Sequence, residues 1–353
     1  MRSLLAQLDH LSLPKLHAQR VQLAHLPTPL EPLPRLRAVL QDLWPDTPIP
    51  PLWVKRDDQT GLALGGNKTR KLEYLLAEAQ ADGADIILTV GAQQSNHARQ
   101  TAAAAAKLGL PCALILGGDA PATPSGNLLL NNLLGAQVIW AAGRDRVAVM
   151  HDHAAALRAQ GRRPLCITYG GSNSLGAAAY TTAFIELQSQ LEDLNLFNLR
   201  RGHLVVASSS GGTQAGLVLG AKLLNSPLQI HGVSIDQPAA AFRAHIASLA
   251  NDTSALLGDT LRVLPDNVTV HDAYLGGGYG VVGDLERDAL LLTLRAEGLL
   301  LDPVYTARAM GGMFDLLQRG AFCPDAPLIF WHTGGAPAVF AYGTSLLAPA
   351  PTH

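Results

Sequence analysis

Along the middle of the chain, short apolar runs that end in glycine alternate with longer stretches of helical period. "ADIILTVGAQ" (84–93) reads as a buried strand, and "SNHARQTAAAAAKLGL" (95–110) follows as an alanine-rich helix with Ser95 at its N-cap. The unit repeats as "PCALILGG" with "SGNLLLNNLLG", "AQVIWAAG" with "DRVAVMHDHAAALRAQG", and "RPLCITYGG" with "SLGAAAYTTAFIELQSQL". After a polar interval near 190–203 it resumes with "HLVVASSSGGTQAGLVLGAKLL" and "LQIHGVSID", and it ends in "APLIFWHTGGAPAVFAYG". Strand and helix in alternation predict parallel sheets with right-handed crossovers. Two α/β lobes are expected, a small one over 72–180 and a large one assembled from 1–71 and 181–353. The first fifty residues, rich in proline and leucine, read as an irregular strap over a core. "WVKRDDQT" (53–60) is too charged to read as a buried strand.

Composition narrows the classes. The chain has 353 residues, enough for about two domains of ~150 each. With 15% charged residues and a net charge of −2, nothing marks a polyanion-binding surface, so no nucleic acid partner is expected. Cys112, Cys166 and Cys323 form no CxxC and read as reduced core thiols of a cytoplasmic protein. Asp9, Pro14 and Lys15 interrupt the N-terminal apolar residues before a signal peptide could form. No run of about twenty uncharged apolar residues escapes glycine or proline punctuation, so no membrane span is expected, and no metal site is expected either.

In such sheets ligands bind where strand ends lead into helix N-termini. "SSSGGT" (208–213) lies at one such junction, and small residues there let backbone N–H groups crowd an anion. It reads as a phosphate cradle or as a flexible polar turn. It has neither GxGxxG nor GxxxxGK[ST], and "GLALGGNKT" misses the latter because Asn67 sets the lysine one place late. Ser95 serves as a plain N-cap or as a donor to a substrate carboxylate. Asn96 is not needed for capping, whereas His97 reads as structural. Tyr279 in "LGGGYGVV" and Tyr305 in "LDPVYTARAMGG" each stand as packing residues or as site residues. Thr333, with Gly334 and Gly335, occupies another strand-to-helix turn.

Lysine is rare, at positions 15, 55, 68, 71, 107 and 222, yet two fall in "LGGNKTRKLEYLLAEAQ" (64–80). They are either solvated charges on a first helical turn or a chemical pair. A lysine among glycines, a phosphate cradle, an asparagine at a helix start and hydroxyls on two late loops together describe a pyridoxal phosphate site, in which lysine forms the Schiff base.

"WVKRDDQTGLALGGNKTRKLEYLLAEA", "GAQQSNHARQTAAAAAKLGLP", "GGSNSLGAAAY", "SSGGTQAGL", "LDPVYTARAMGG" and "HTGGAPAVFAY" resemble the D-cysteine desulfhydrase and 1-aminocyclopropane-1-carboxylate (ACC) deaminase family over roughly residues 20–345. The resemblance implies a two-lobed α/β enzyme of tryptophan synthase β-like fold, fold type II, with parallel sheets. It also implies a homodimer holding pyridoxal 5'-phosphate between the lobes of each chain, and a small amino acid as substrate. By motif, Lys68 would be the Schiff-base lysine and would remove the Cα proton of the substrate, with Lys71 near the phosphate. Asn96 would meet the cofactor's 3'-oxygen, Ser95 the substrate carboxylate, and Ser210, Gly211, Gly212 and Thr213 would form the phosphate cup. Tyr279 and Tyr305 would face the substrate, and Thr333 or Thr306 the pyridine nitrogen. ACC deaminases typically carry glutamate after the tyrosine of the "VY" motif, where this chain has Thr306, which favours β-elimination of D-cysteine over ring opening. L-cysteate desulfonation and a catalytically silent cofactor carrier are the other readings. The chain departs from the family in Ala307 and Arg308, where glycine-lysine is usual, and in the glycines before Tyr279.

Overall fold

The alternation builds ten strands among the residues described by the computed structural model, which are 1–194, 196 and 202–347. Six form a large sheet in the order β1 (Leu30–Pro32), β2 (Leu52–Arg56), β10 (Leu328–His332), β7 (Gly202–Ser208), β8 (Leu228–Ser234) and β9 (Thr269–His271). Four form a small sheet in the order β5 (Gln137–Trp140), β4 (Cys112–Leu116), β3 (Ile86–Gly91) and β6 (Pro164–Ile167). Every pairing is parallel except the edge pair β1–β2.

Parallel strands covered on both faces need continuous apolar runs, and β3, β4, β7 and β10 are buried throughout. One face of the large sheet carries the helices Ser174–Asp193, Gly212–Leu223 and Ala239–Leu256, which contribute Phe184, Leu217 and Ile246 to the core. The other carries Pro34–Leu43, Asp284–Glu297 and Thr306–Gln318, with Leu36, Leu290 and Met310. The small sheet is covered by Lys68–Ala81 and Asn96–Lys107 on one side and by Arg146–Ala159 on the other.

Three expectations change, and the expected lobe boundaries meet the helices Lys68–Ala81 and Ser174–Asp193. The first fifty residues include three helices, Arg2–Ala6, Leu13–Gln19 and Pro34–Leu43, because their leucines fall at helical spacing and bury Leu4, Leu13, Leu36 and Leu40. The boundaries at 71/72 and 180/181 fall inside helices. The helix Ser174–Asp193 gives Leu175 and Ala179 to the small-lobe core and Ala177, Tyr180 and Phe184 to the large one, so both lobes share it. The charged segment at 53 does contain a buried strand, β2, in which Lys55 is fully enclosed. Its charge is matched there: Lys55 Nζ lies 2.5 Å from Glu186 Oε1, Arg70 forks onto both Glu186 and Asp57, and the Tyr180 hydroxyl donates to Asp57 Oδ2 at 2.5 Å. Paired and hydrogen-bonded charges tolerate a burial that a lone one does not. Of the three thiols, only Cys112 is buried; Cys166 is half-buried and Cys323 exposed, and all three are free. No helix among the described residues is long and apolar enough to cross a membrane.

Candidate active site

The carboxyl ends of β3, β6, β7, β8 and β10 open onto one cavity of about 820 Å³. Strand ends in a parallel sheet stop short of their crossover helices and leave free N–H groups there. Lys68, Ser95, Asn96, Ser210, Gly211, Thr213, Tyr279, Tyr305 and Thr333 all line this cavity. Residues from both ends of the chain therefore share one site.

Lys68 is the first residue of the helix Lys68–Ala81. The preceding turn is held by Asn67, whose backbone N–H donates to the Thr333 carbonyl at 3.0 Å and whose side chain donates to Thr213 Oγ1 at 3.0 Å. Behind it the chain passes so close to Gly334 that a Cβ there would stand 2.7 Å from Gly66 Cα. The Lys68 amine projects toward Gly170, where an added Cβ would lie 3.2 Å from Nζ and 2.4 Å from Ser210 Oγ. Among the described residues Lys68 has no carboxylate at ion-pair distance, and burial lowers its pKa from 10.5 to about 8. Lys71, one turn on, is fully enclosed and likewise lacks an acid; burial and then Lys68 hold its pKa well below the usual value.

Lys71 faces the loop between β7 and the helix Gly212–Leu223. Its Nζ donates to Ser172 Oγ at 3.0 Å and to the Gly170 carbonyl at 3.2 Å. Ser172 Oγ in turn lies 2.7 Å from Ser210 Oγ and accepts from the Gly212 N–H at 3.3 Å. Gly211 adopts the left-handed φ of +80° that ends the strand, and a Cβ on Gly212 would sit 2.6 Å from Ser172 Oγ and 2.8 Å from Lys71 Nζ. A helix N-terminus, the Ser172 and Ser210 hydroxyls and two lysines thus converge around one small space.

Across the cavity, Ser95 caps the helix Asn96–Lys107, accepting from the Ala98 N–H at 3.1 Å, which leaves its own hydrogen to donate. The Asn96 amide is fixed on both sides, donating to Asp302 Oδ2 at 3.0 Å and accepting from Asn127 Nδ2 at 2.8 Å. Asp302, fully buried, also accepts from the Val304 and Tyr305 N–H groups. The Tyr305 and Tyr279 hydroxyls lie 2.5 Å apart. Desolvation of its hydroxyl pushes the Tyr279 phenol up to about 12 even though the side chain as a whole is 41% exposed. Burial, with Tyr279 beside it, raises Tyr305 as well.

The comparisons with known proteins agree with this geometry. Residues 21–334 match the pyridoxal-phosphate dependent enzyme family. The chain belongs to that family. It is 40% identical to the D-cysteine desulfhydrases of Salmonella paratyphi A and Salmonella newport (strain SL254) over 329 residues, which is 92% of this chain and 96% of each enzyme. A crystal structure of an ACC deaminase homologue superposes with a TM-score of 0.84 at 35% identity, covering 95% of this chain and 98% of that one. O-ureido-L-serine synthase shares the fold alone, at a TM-score of 0.63 and 14% identity over 93% of this chain and 95% of that one. The pyridoxal-phosphate enzyme is thus of fold type II, and its cofactor is pyridoxal phosphate.

The residues present fit that cofactor. Two lysines without acids, Lys71 enclosed and Lys68 half-buried on the cavity wall, need the counter-charge a phosphate dianion brings, and the space beside them has room only because Gly212 lacks a Cβ. Of the sequence candidates, Lys71, Gly212 and Thr306 are not among the lining residues, although Lys71 and Gly212 both hydrogen-bond Ser172, which is. Thr306 turns away, accepting the Asp302 N–H at 2.6 Å and donating to the Asp302 carbonyl at 3.3 Å, so Thr333 is the threonine that lines the site. His97 does line the cavity; its Nε2 bonds Thr89 Oγ1 at 2.9 Å, and burial keeps its pKa well below the ordinary value. Sequence reasoning passed over Ser172, Asp236 and Asp302. Ser172 sits at a glycine-rich strand-to-helix junction of the same kind as Ser95 and Ser210, which was the available signal.

Proposed function

We propose that the protein is a lyase that eliminates the thiol group of D-cysteine, giving pyruvate, ammonia and hydrogen sulfide with uptake of one water. The observation that carries this reading is the Lys68 amine, poised near neutral pKa beside an anion cup with no acid to neutralise it. A lysine used only as a salt-bridge partner has no reason to be held so. The choice of D-cysteine rests on the 40% identity to D-cysteine desulfhydrases over nearly the whole chain.

Bound pyridoxal phosphate supplies an electron sink for carbanion character at the substrate Cα. The chain's own groups do the rest. Ser210, Gly211, Gly212 and Thr213, with Ser172 and Lys71, would hold the phosphate, and Asn96, locked by Asp302 and Asn127, would address the 3'-oxygen. Ser95 donates its hydroxyl hydrogen to the substrate carboxylate. Lys68 would take the Cα proton, and a pKa of about 8 keeps a useful neutral fraction of its amine at physiological pH. Tyr279 and Tyr305 stay protonated well past neutrality, so the pair can hand a proton to the departing sulfur. Thr333, a neutral hydroxyl on the cavity wall, would be the group to meet the ring nitrogen and carries no charge to hold a proton there, which suits elimination better than ring opening.

The test is product release by purified holoenzyme from D-cysteine, L-cysteine, L-cysteate and β-chloro-D-alanine, scored as pyruvate, and from ACC, scored as 2-oxobutyrate. Pyruvate and sulfide should come fastest from D-cysteine. Faster 2-oxobutyrate from ACC overturns the reading, and no product from any of them leaves a cofactor carrier.

A further inference from the structure

The loop that carries Tyr279 has little to hold it. Between Leu275 and Val282, four of eight residues are glycine, and Gly276, Gly278 and Gly280 all take positive φ. Its internal hydrogen bonds are the Gly278 N–H to the Leu275 carbonyl, at 3.0 Å, and the Val281 N–H to the Gly278 carbonyl, at 3.3 Å. A segment so built wanders unless something external pins it. Two carbonyls on either side of Tyr279 are held by one side chain. Arg308, 1% exposed, donates from Nη2 to the Gly278 carbonyl at 3.2 Å and to the Val281 carbonyl at 2.9 Å, one residue before Tyr279 and two after. Its Nη1 donates to the Ile235 carbonyl at 2.8 Å, just past β8, and its Nε to Glu286 Oε1 at 2.6 Å. Glu286 also accepts the Gly283 N–H at 2.9 Å, closing the far end of the same loop.

Arg308 lies in the first turn of the helix Thr306–Gln318, three residues beyond Tyr305. The element that presents Tyr305 therefore also fixes the loop that presents Tyr279, and the 2.5 Å contact between the two hydroxyls is set from one helix start. A flat guanidinium can serve four acceptors in different directions at once, which a single ammonium on a flexible stem cannot. We propose that Arg308, braced by Glu286, is a positioning residue that sets Tyr279 against Tyr305 and so tunes turnover without touching the substrate. This rests on the reading that Tyr279 faces the substrate.

The experiment compares holoenzyme carrying Arg308→Lys, Arg308→Met, Tyr279→Phe, and Tyr279→Phe combined with Arg308→Lys. Hydrogen exchange is read at the amides of 275–282, and kcat and KM are read with D-cysteine, with cofactor absorbance as the check on loading. Arg308→Lys keeps the charge opposite Glu286, so it folds even if Arg308→Met does not. It should speed exchange across Gly278–Val281 by about tenfold and lower kcat/KM by a similar factor at unchanged cofactor content. In the Tyr279→Phe background the same change should cost almost nothing further, a result that a general loss of stability would not give. Unchanged exchange in Arg308→Lys, or losses that simply add in the double variant, overturns the proposal. Wild-type kinetics in Tyr279→Phe overturn the role given to Tyr279 and with it the effect on turnover, whereas exchange alone decides whether Arg308 holds the loop.

Discussion

Two groups of cations withdrawn from solvent, three of them buried and Lys68 half-buried, lie on the helix Lys68–Ala81 and its neighbours. On the large-lobe side, Lys55 and Arg70 are matched by Glu186 and Asp57, with Thr28, Tyr180 and Gln190 completing the hydrogen bonds. On the cavity side, Lys71 meets the Ser172 hydroxyl and the Gly170 carbonyl, and among the described residues neither it nor Lys68 has an acid at ion-pair distance. Although burial works against it, Arg70 and Lys55 hold the Glu186 carboxyl down to about 2, whereas burial alone lowers Lys68 to about 8. The difference separates roles: a balanced cluster is structure, and an unbalanced one waits for a charge from outside.

The comparison can be broken at either end. Lys68→Ala should show the largest effect, a fall of at least ~10³-fold in pyruvate release, since a positioned acid–base group contributes roughly 10²–10⁴. Its melting temperature without cofactor should stay near wild type. Borohydride reduction that fixed the cofactor on Lys71 or Lys222 would instead assign the chemistry elsewhere. Glu186→Ala leaves two buried cations facing one carboxylate, and breaking a buried pair costs about 3–5 kcal/mol. Denaturant unfolding should show that loss directly, and an unchanged midpoint would dissolve the structural half of the contrast. In the wild type the same pair supplies stability above pH 4.5 that disappears as pH falls toward about 2, because the folded carboxyl holds its charge longer than the unfolded one.

Gly212→Asp should weaken cofactor retention on the order of tenfold or more, through its Cβ against Ser172 and Lys71 and a carboxylate at a helix N-terminus. Titration of the stripped protein with pyridoxal phosphate measures it. The smallest effect concerns Lys68 without cofactor. Its folded pKa, about 8, lies below the unfolded 10.5, so the folded state sheds the proton first and gains stability as pH climbs from about 8 toward 10.5, with nothing gained below that window. Lys68→Met should remove the increment, and urea midpoints of the two stripped proteins across that range should diverge accordingly.

The sequence made the βα rhythm legible because apolar runs, glycine stops and N-caps are local signals. It made most of the cavity legible for the same reason, since Ser95, Asn96, Ser210–Thr213 and Thr333 all sit at strand-to-helix turns. What it hid depends on partners far along the chain. The segment "WVKRDDQT" hid β2, since nothing local tells that Glu186 waits 131 residues away. Thr306 stood next to Tyr305 and looked equally available, yet its hydroxyl is used by Asp302 four residues back. Ser172 and Asp302 are ordinary residues by type, and only the fold brings one to Lys71 and the other to Asn96.

The strand order bears on how the molecule is made. β10 comes last of the described strands and yet lies inside the sheet, between β2 and β7, in register with both. On a ribosome adding ~5–20 residues per second, β2 emerges ~15–60 s before the strand it must pair with. Until β10 arrives, the edges of β2, bearing Lys55, and then of β7, leading into the glycine-rich turn at 209–213, are open in the heart of the large lobe. The newborn chain is at its most adhesive until β10 slides in, and a stalled ribosome short of residue 328 would leave a product that can neither bury its lysine nor assemble the cavity.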